Sequence, residues 1–521
     1  MAEDGQKNLL RGSRNLAVST LFCRILGFIR EMLMASVLGG GLYMSAWVQA
    51  LTLPNLFRRI LGEGALGTAL IPMIVHSMEQ DGELRARERF STIFLYLNIL
   101  LCLITLVIAL PAYFLGDMLP DGLWRLTAWL TPVVMPYCIF ICSVGVLTCY
   151  ANSMREYFLP SLAAILQNAV MIGALFVVTV HLYPERSILR LLALAIVLSG
   201  ILELLLLLWI IKRKKMLPVW KKQVCSDMET IRSIVRLALP GIFAAAALQL
   251  SLVVDRLVAG WIGDHAPAAL YFSERLVYLP IGIFAFAFGT VSLSEMSHAA
   301  SKNDYKSLAG MYTFSLRNLL FVTIPIAVFM ILFCEDLIRS VFMRGNFDLD
   351  DVRATAYAMF FYVPGIPLFA AYKVAVASFT ARKDMITPFR VSLITVTLNI
   401  VLNFLLMGPL KQGGVALATV LTSLTGNLLL TWLLIRQLGT KDFQFAGLFL
   451  TIGKTLLGCL FAGAAARYAV TFLEDAQNSW QSIYRCGTGM IVFGFIFLGV
   501  TLLLRMPEAR QFIVRIPGLR K

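Results

Sequence analysis

Long apolar stretches separated by short polar segments dominate this chain. Some of these stretches contain almost no charge: 90–116, 126–154, 157–184, 191–211, 318–334, 354–372, 391–410, 413–435 and 486–504. Others are interrupted by a few polar residues: 15–39, 43–76, 237–262, 266–294 and 445–470. A helix of roughly 20 apolar residues crosses a bilayer. The pattern therefore predicts an all-α integral membrane protein with about 14 transmembrane helices.

The composition indicates that lipid is the surrounding solvent. The chain has 521 residues, 59% hydrophobic and 14% charged, and its mean hydropathy is +0.79. Soluble domains are nearer half apolar and about a quarter charged. The cysteines lie mostly inside apolar stretches without zinc-site spacing, so we interpret them as packing residues. Arg24 and Arg30 interrupt the first apolar stretch, so no cleavable signal peptide is expected.

The formal net charge of +15 is distributed unevenly between the predicted loops. One side carries most of the lysines and arginines, including the basic cluster at 212–215, whereas the opposite loops hold few. Cytoplasmic loops of membrane proteins carry such an excess. The bias predicts that both termini are cytoplasmic. Because topology explains the basic surplus, nucleic acid is not expected as a partner.

Two parts of the chain repeat each other. A Leu-Pro pair followed by a Gly-Thr pair occurs at 53–54 with 67–68, and again at 279–280 with 289–290. Each repeat holds six predicted spans, an even number, so both repeats enter the membrane from the same side. Transporters built from such parallel repeats bind substrate at the interface of the two halves.

The duplication divides the chain into four predicted parts. Residues 1–214 form an N-terminal lobe with helices 1–6, and residues 215–227 form a basic cytoplasmic linker. Residues 228–440 form a C-terminal lobe with helices 7–12, and residues 441–521 hold two additional helices and a cytoplasmic tail. The predicted architecture is therefore two parallel six-helix lobes plus two C-terminal helices.

Ionisable residues inside the apolar stretches are candidates for a substrate site, because charge inside a bilayer is costly and usually faces a cavity or a partner. The candidates are Arg24, Arg30, Glu31, Arg58, Arg59, Glu63 and Arg275. They lie on the first two helices of each repeat. Arginine binds phosphate oxygens through paired hydrogen bonds and keeps its charge when buried. Several such arginines predict a substrate that carries phosphate.

Simpler interpretations exist for some of these residues. Arg58 and Arg59 also fit a helix end at the membrane surface. Glu31 and Glu63 also fit counter-ions that only neutralise neighbouring arginines. Pro54, with the glycines that follow it, makes the second helix easy to bend, as alternating access requires.

A second group of polar residues has the chemistry of a sodium site. Asn399 and Asn403 lie four residues apart on one helix face, and Val415 and Thr419 have the same spacing on the next helix. With Asp255 they offer one carboxylate and several neutral oxygens, which hard cations prefer. Polar side chains also join membrane helices, so a packing role is the alternative. No organic cofactor is expected.

Several segments form a characteristic set: CRILGFIRE at 23–31, LPNLFRRILGEGA at 53–65 and FMRGNF at 342–347. Together they closely resemble the MurJ (MviN) family of lipid II flippases, in the MOP exporter superfamily. The resemblance spans essentially the whole chain and includes the two additional C-terminal helices.

The resemblance implies transport of lipid II, the undecaprenyl-diphosphate-linked peptidoglycan precursor. It would be moved from the cytoplasmic to the periplasmic leaflet of the bacterial inner membrane by a protein that functions as a monomer among membrane lipids. It further implies that Arg24, Arg30, Arg58 and Arg275 line the cavity. The additional helices would form a groove for the prenyl tail, and the five residues of the sodium set would match a sodium site of the family.

The chain departs from the family pattern at three positions. Glu31 stands where an aspartate is common, and Ser45 stands where many members carry an aspartate. Asn403 replaces a carboxylate of the sodium site, which leaves Asp255 as its only anion and predicts a low sodium affinity.

Other functions predict other features. A multidrug antiporter of the same superfamily usually has twelve helices and an acidic, aromatic cavity, and a lipid-linked polysaccharide flippase is the nearest alternative. A membrane scaffold gives no reason for arginines inside the bilayer. An integral-membrane enzyme is not expected, because no nucleophile motif, paired histidine motif or metal cluster is recognisable in the sequence.

Overall fold

The structure, a computed structural model, describes most of the chain. The described residues are 19, 22–62, 65–154, 156, 160, 162–181, 183–219, 232, 246, 249–439, 442–473 and 478–514. The chain divides into two compact units, Met1–Gly260 and Trp261–Lys521. The predicted linker at 215–227 lies largely outside the described residues, and the predicted four-part division stays a prediction.

The described part of the first unit consists of helices and turns. They are α1 (22–38), α2 (Leu42–Ala50), α3 (Thr52–Phe57), α4 (Ala65–Gln80), α5 (Glu83–Leu115), α6 (Leu123–Val134), α7 (Pro136–Ser153), α8 (Ala163–Val180), α9 (Glu185–Arg213) and α10 (249–262). Helix α9 packs against α6, α7 and α8, and α2 packs against α6. Apolar side chains cover these contact faces, so the core of the unit lies between the helices.

The second unit is helical as well. Its helices are α11 (Ala266–Pro280), α12 (Phe286–Ser301), α13 (Tyr305–Leu332), α14 (Cys334–Phe342), α15 (Leu349–Tyr362), α16 (Gly365–Ala381), α17 (Ile386–Leu438), α18 (Phe445–Val470), α19 (Ser479–Leu503) and α20 (Pro507–Val514). Asp348 and Asn478 begin α15 and α19 with reciprocal side-chain caps, which satisfy backbone N–H groups that a helix start leaves unbonded.

Nine helical segments among the described residues are long and apolar enough to cross a membrane, or ten if the pair α15 and α16, bent by 43°, counts as one span. The described residues hold helices and turns but no strand. The prediction of an all-α integral membrane protein is confirmed, whereas the count of fourteen helices stays a prediction.

Prolines break several stretches that the sequence predicted as single spans. The stretch 126–154 is two helices, α6 and α7, and Pro136 begins the second of them. The stretch 354–372 is divided between α15 and α16, next to Pro364. Proline has no backbone N–H to donate, so a helix usually ends or bends there.

The two Leu-Pro pairs of the sequence repeat have matching surroundings. A π-helical segment, Arg58–Gly62, follows Pro54 in the first unit. A second π-helical segment, Ile281–Ala285, follows Pro280 in the second unit. Such wider turns are rare and often occur at functional sites. Both Leu-Pro pairs are therefore followed by the same kind of turn, whereas the duplication and the bend at Pro54 stay predictions.

Helix α17 contains the boundary between two predicted spans. Lys411 has φ 46° and ψ −132°, so the backbone leaves the helical conformation there. A Cβ atom at Gly414 would lie 2.2 Å from the carbonyl oxygen of Leu406, so only glycine permits this close approach of the two halves. The predicted break between 391–410 and 413–435 is present.

The two additional helices, α18 and α19, pack against each other and against α13 and α14. Phenylalanines fill the contact: the ring of Phe493 lies 5.7 Å from Phe329 and 6.2 Å from Phe497. The terminal helix α20 is attached by a buried ion pair. Arg317 donates to Glu508 at 2.7 and 3.0 Å, and Thr451 donates to the same carboxylate oxygen at 3.0 Å.

Candidate functional site

Helix α1 carries three of the predicted site residues. Arg30 donates from Nη2 to Glu31 Oε1 at 2.7 Å, and Glu31 is only 4% exposed. Arg24 lies on the exposed side of the helix. Gly39, with φ 67°, ends the helix in a left-handed conformation that suits glycine. The structure therefore pairs Arg30 with Glu31. The sequence predicted this pairing because the two residues are neighbours of opposite charge.

The π-helical segment Arg58–Gly62 carries the next two candidates. It lies close to α7, because a Cβ atom at Gly145 would be 2.5 Å from the carbonyl oxygen of Gly62. The two backbones meet only because both positions lack side chains. Arg58 is half-buried, and Arg59 is exposed and donates to Gln249 Oε1 at 3.1 Å. The glycine contact thus fixes the position of the segment that bears both arginines.

Arg58 interacts electrostatically with a buried carboxylate that the sequence did not predict as a site residue. Glu203, on α9, is 2% exposed and interacts electrostatically with Arg58. It also interacts electrostatically with Tyr137 on α7 and Cys23 on α1. Tyr137 is 1% exposed, and its hydroxyl accepts a hydrogen bond from Gln167 Nε2 at 2.6 Å. Polar groups from four elements therefore meet around Glu203.

A fifth polar side chain completes this group. Asn168, on α8, is 5% exposed. Its Nδ2 donates to the carbonyl oxygen of Ala164 at 3.0 Å, and its Oδ1 faces Gly27 on α1. We call Glu203, Tyr137, Gln167, Asn168 and Cys23 the Glu203 cluster. It lies in the part of the first unit that also holds Arg58.

The second unit holds the remaining arginine candidate. Arg275, on α11, is exposed and donates to the hydroxyl of Tyr271 at 2.9 Å. Its guanidinium also lies over the Tyr271 ring, 4.5 Å from the centroid. The neighbouring Glu274 accepts a hydrogen bond from Tyr362 at 3.1 Å. Tyrosines thus orient both charged side chains on this helix.

The residues of the predicted sodium set belong to both units. Asp255 is 5% exposed and belongs to the first unit, whereas the other four belong to the second. Asn403 Nδ2 donates to Asn399 Oδ1 at 3.1 Å, and Thr419 donates to the Val415 carbonyl at 3.1 Å. The structure thus pairs the residues within each predicted helix face. The sodium site as a whole stays a prediction.

The structure leaves one predicted site residue untested and adds a group of residues that the sequence did not predict. Glu63 lies outside the described residues, so its predicted role stays a prediction. Glu203 and its neighbours were missed, although a signal existed: Glu203 is the single acidic residue between 186 and 213, in an otherwise apolar helix. The stretch 191–211 holds no charge apart from this carboxylate, so its hydropathy predicts a membrane span and does not by itself indicate a site.

The sequence profile of one family, described as "Lipid II flippase MurJ", matches residues 34–483. The Rhizobium tropici protein named "Probable lipid II flippase MurJ" is 30% identical over 407 residues, which cover 77% of this chain and 76% of the relative. The Haemophilus influenzae protein of the same name is 26% identical over 511 residues, which cover 93% of this chain and 98% of the relative.

Solved structures share the fold. "Lipid II flippase MurJ, inward closed conformation" matches with a TM-score of 0.77 at 22% identity and covers 94% of this chain and 99% of its own. An inward-facing multidrug resistance MATE transporter of the MOP superfamily matches with a TM-score of 0.67 at 13% identity, over 80% of this chain and 94% of its own. These similarities support the helical transporter fold.

Proposed function

Because the chain belongs to the lipid II flippase MurJ family, we propose that it moves lipid II from the cytoplasmic to the periplasmic leaflet of the bacterial inner membrane. Lipid II is a peptidoglycan precursor linked to undecaprenyl diphosphate. Members of this family are transporters, so the chain is a multi-pass membrane transporter and not an enzyme.

The observation that carries the proposal is the placement of arginines on membrane helices beside buried carboxylates. Arg30 bonds Glu31 at 2.7 Å, and Arg58 interacts with Glu203. A guanidinium inside a membrane protein needs an anionic partner to offset its desolvation. The carboxylates supply that partner in the absence of substrate. A diphosphate carries more charge than one carboxylate and accepts paired hydrogen bonds, so it competes well for these arginines.

The proposed diphosphate ligands extend beyond these two arginines. They are Arg24, Arg30, Arg58, Arg59 and Arg275, with Glu31 and Glu63 as counter-ions. Movement across the membrane would occur by alternating access, with bending at the π-helical segments that follow Pro54 and Pro280. A sodium ion held by Asp255, Asn399, Asn403, Val415 and Thr419 would select one conformation. The protein would act as a monomer with both termini cytoplasmic.

The buried oxygens of the second unit fit such an ion. Asn399 and Asn403 are 2% and 0% exposed, and the Val415 carbonyl lies within a fully buried residue. Amide, carbonyl and carboxylate oxygens are the donors that hard cations prefer. When bound, sodium would supply positive charge that neutralises the Asp255 carboxylate without a proton.

The proposal is tested by complementation of a bacterial strain depleted of its own lipid II flippase, with accessibility of labelled lipid II in the outer leaflet as the readout. Arg30→Ala is expected to abolish flipping, and Arg30→Lys to impair it, because lysine keeps the charge but loses the paired hydrogen bonds. Protein levels in the membrane must match those of the wild type.

Arg85→Ala is the matched control. The Arg85 side chain is 72% exposed at the start of α5, so its loss is expected to leave flipping intact. Normal complementation by Arg30→Ala, Arg58→Ala and Arg275→Ala would show that the arginines are structural. Failure of the wild-type chain to restore outer-leaflet lipid II, despite normal membrane levels, would exclude this substrate and favour another exporter of the superfamily.

A further inference from the structure

The Glu203 cluster contains a carboxylate that the proposed diphosphate site does not use. Glu203 is 2% exposed inside α9, a helix long and apolar enough to cross the membrane. Among the described residues, its Oε1 atom has no hydrogen-bond partner. A buried carboxylate oxygen without a donor is costly when ionised, and membrane proteins retain such groups mainly where they function.

Asn168 has a similar deficit. Its Oδ1 atom is buried and has no hydrogen-bond partner within the described part of the chain. The cluster therefore holds two buried acceptor oxygens that lack donors, on α8 and α9, which pack against each other. If Glu203 carried a proton, its carboxyl group would have an O–H donor in place of an unsatisfied acceptor.

The packing of α9 holds Glu203 beside Tyr137. A Cβ atom at Gly200, one turn before Glu203, would lie 3.1 Å from the Tyr137 ring and 2.9 Å from Phe140 Cβ. Only glycine permits this approach of α9 to α7. The Tyr137 hydroxyl already accepts from Gln167, so its own hydrogen is directed elsewhere. The fold thus buries a hydroxyl and a carboxylate that interact electrostatically.

The charges around Glu203 come from few elements. Among the described residues, Arg58 supplies the positive charge, while Cys23 and Tyr137 are neutral at ordinary pH. Arg30 acts on both Cys23 and Tyr137. Helix α8 contributes the neutral amides of Gln167 and Asn168.

The two other helices that pack against α9, α2 and α6, contribute little charge near Glu203. On α2, Tyr43 interacts with Glu185, which begins α9 about 27 Å along its axis from Glu203. On α6, Arg125 is bonded to Asp121 at 2.6 Å. Among the described residues, Arg58 is therefore the cation that acts on Glu203.

We propose that Glu203 is a proton-binding site within the membrane, and that its proton occupancy rises when a diphosphate engages Arg58. The coupling rests on the proposed function, because it needs Arg58 as a diphosphate ligand. Ionised Glu203 and the diphosphate compete for the charge of Arg58. Binding of the diphosphate weakens the attraction that keeps Glu203 ionised, so a proton from solvent adds to the carboxylate. By linkage, a proton on Glu203 strengthens diphosphate binding equally.

A proton fits the cluster better than a metal ion. Among the described residues, no group of three or more His, Cys, Asp or Glu side chains is placed to hold a metal. Glu203 is the single carboxylate of the cluster, and the charge of Arg58 repels a second cation. A proton neutralises the carboxylate and also supplies the missing donor.

Infrared difference spectroscopy of the full chain in lipid nanodiscs tests the proposal. Between about pH 6 and 8, where exposed carboxylates are ionised, a C=O band of a protonated carboxylic acid is expected that shifts on ¹³C-glutamate labelling. The band should be lost in Glu203→Gln and kept in Glu79→Gln, where an exposed carboxylate at the end of α4 is neutralised instead. Undecaprenyl diphosphate should increase the band in the wild type, and this increase should be lost in Arg58→Met.

The outcomes separate the proton site from the proposed function. Absence of a glutamate band, or its retention in Glu203→Gln, overturns the proposal, as does its removal by sodium at constant pH. Bound undecaprenyl diphosphate that leaves the band unchanged also overturns it. Absence of lipid binding at every pH contradicts the proposed function, while the titration of the labelled wild type against Glu203→Gln still decides whether Glu203 binds a proton. If Glu203→Gln fails to fold, Glu203→Asp gives the assignment, because its band no longer shifts on ¹³C-glutamate labelling.

Discussion

Glu203 in the first unit and Glu508 in the second are both buried carboxylates, with exposed fractions of 2% and 4%. Their surroundings differ. One oxygen of Glu508 accepts two hydrogen bonds from Arg317 and a third from Thr451. Glu203 Oε1 accepts none from the described residues, and its cation, Arg58, acts only electrostatically. Glu508 Oε2 also has no hydrogen-bond partner among the described residues, so burial and one unsatisfied oxygen do not by themselves identify a functional carboxylate. The two carboxylates differ in the hydrogen bonds from Arg317 and Thr451 that hold Glu508 Oε1.

The two regions are also held together by different means. Around Glu508, charge-assisted hydrogen bonds and phenylalanine packing join α13, α18, α19 and α20. Around Glu203, close backbone contacts at Gly145 and Gly200 bring the helices together. In the Glu508 region, the polar groups bond to one another and stabilise the fold. The Glu203 region leaves polar groups available for a ligand or a proton.

The largest expected effect tests the role of the Glu508 region. Arg317→Met removes the cation and leaves Glu508 buried with one remaining donor, Thr451. Removal of one partner of a buried ion pair costs about 3–5 kcal/mol of folding free energy. The midpoint of thermal unfolding in detergent should fall strongly. Glu203→Gln should lower the midpoint less in the same assay, because Arg58, the cation that would lose this anionic partner, is only half-buried.

Arg353→Ala is the control for Arg317→Met, since the Arg353 side chain is 65% exposed and its salt bridge to Asp350 spans 3.6 Å. An unfolding midpoint for Arg317→Met equal to that of this control would break the comparison. So would a loss for Glu203→Gln as large as that expected for Arg317→Met.

The second prediction tests whether the close contact between Gly145 and Gly62 positions Arg58. Gly145→Ala places a Cβ atom 2.5 Å from the Gly62 carbonyl oxygen, which belongs to backbone that cannot rotate away. Overpacking of this kind costs about 1–3 kcal/mol. Because the displaced segment carries Arg58, lipid II flipping should fall as well as stability. Gly173→Ala on α8, where no atom lies within 4 Å of the added Cβ, should preserve both. Equal activities of the two variants would show that the contact does not position Arg58.

The smallest effect concerns another buried carboxylate, Asp255. If sodium is its partner, sodium at ten times its dissociation constant should stabilise the protein by about 1.4 kcal/mol, and potassium should not. Asp255→Asn should remove most of this stabilisation and leave binding of undecaprenyl diphosphate intact. Thermal unfolding in sodium and in potassium measures the difference. Equal stabilisation by both ions would favour Arg256 as the partner of Asp255 and exclude sodium from the mechanism.

The fold class was predictable because it depends on hydropathy alone. Apolar stretches long enough to cross a bilayer leave few alternatives to helices, since backbone polar groups must bond within the membrane. The breaks inside those stretches were less predictable. Pro54 predicted a bend in the second helix, and the structure has π-helical segments after Pro54 and after Pro280. The division at Met135 between α6 and α7 was missed, because an apolar sequence with an internal proline can also form one kinked helix.

The candidate site was predictable where charge is conspicuous in the sequence. The pairing of Arg30 with Glu31 follows from adjacent opposite charges, and the structure contains it. The Glu203 cluster was not predicted, because its members come from four helices and each looks ordinary in its own stretch. Close packing around Gly200 and Gly145 brings them together, and sequence spacing within one helix does not indicate which distant backbone a glycine will meet.

The bond between Arg317 and Glu508 joins residues 191 positions apart, with Glu508 close to the end of the chain. Ribosomes add about 5–20 residues per second, so Arg317 enters the membrane about 10–40 seconds before its partner is synthesised. During that interval α13 carries a charge that Glu508 neutralises in the finished fold. A chain that stops before residue 508 would therefore keep a buried arginine without this partner.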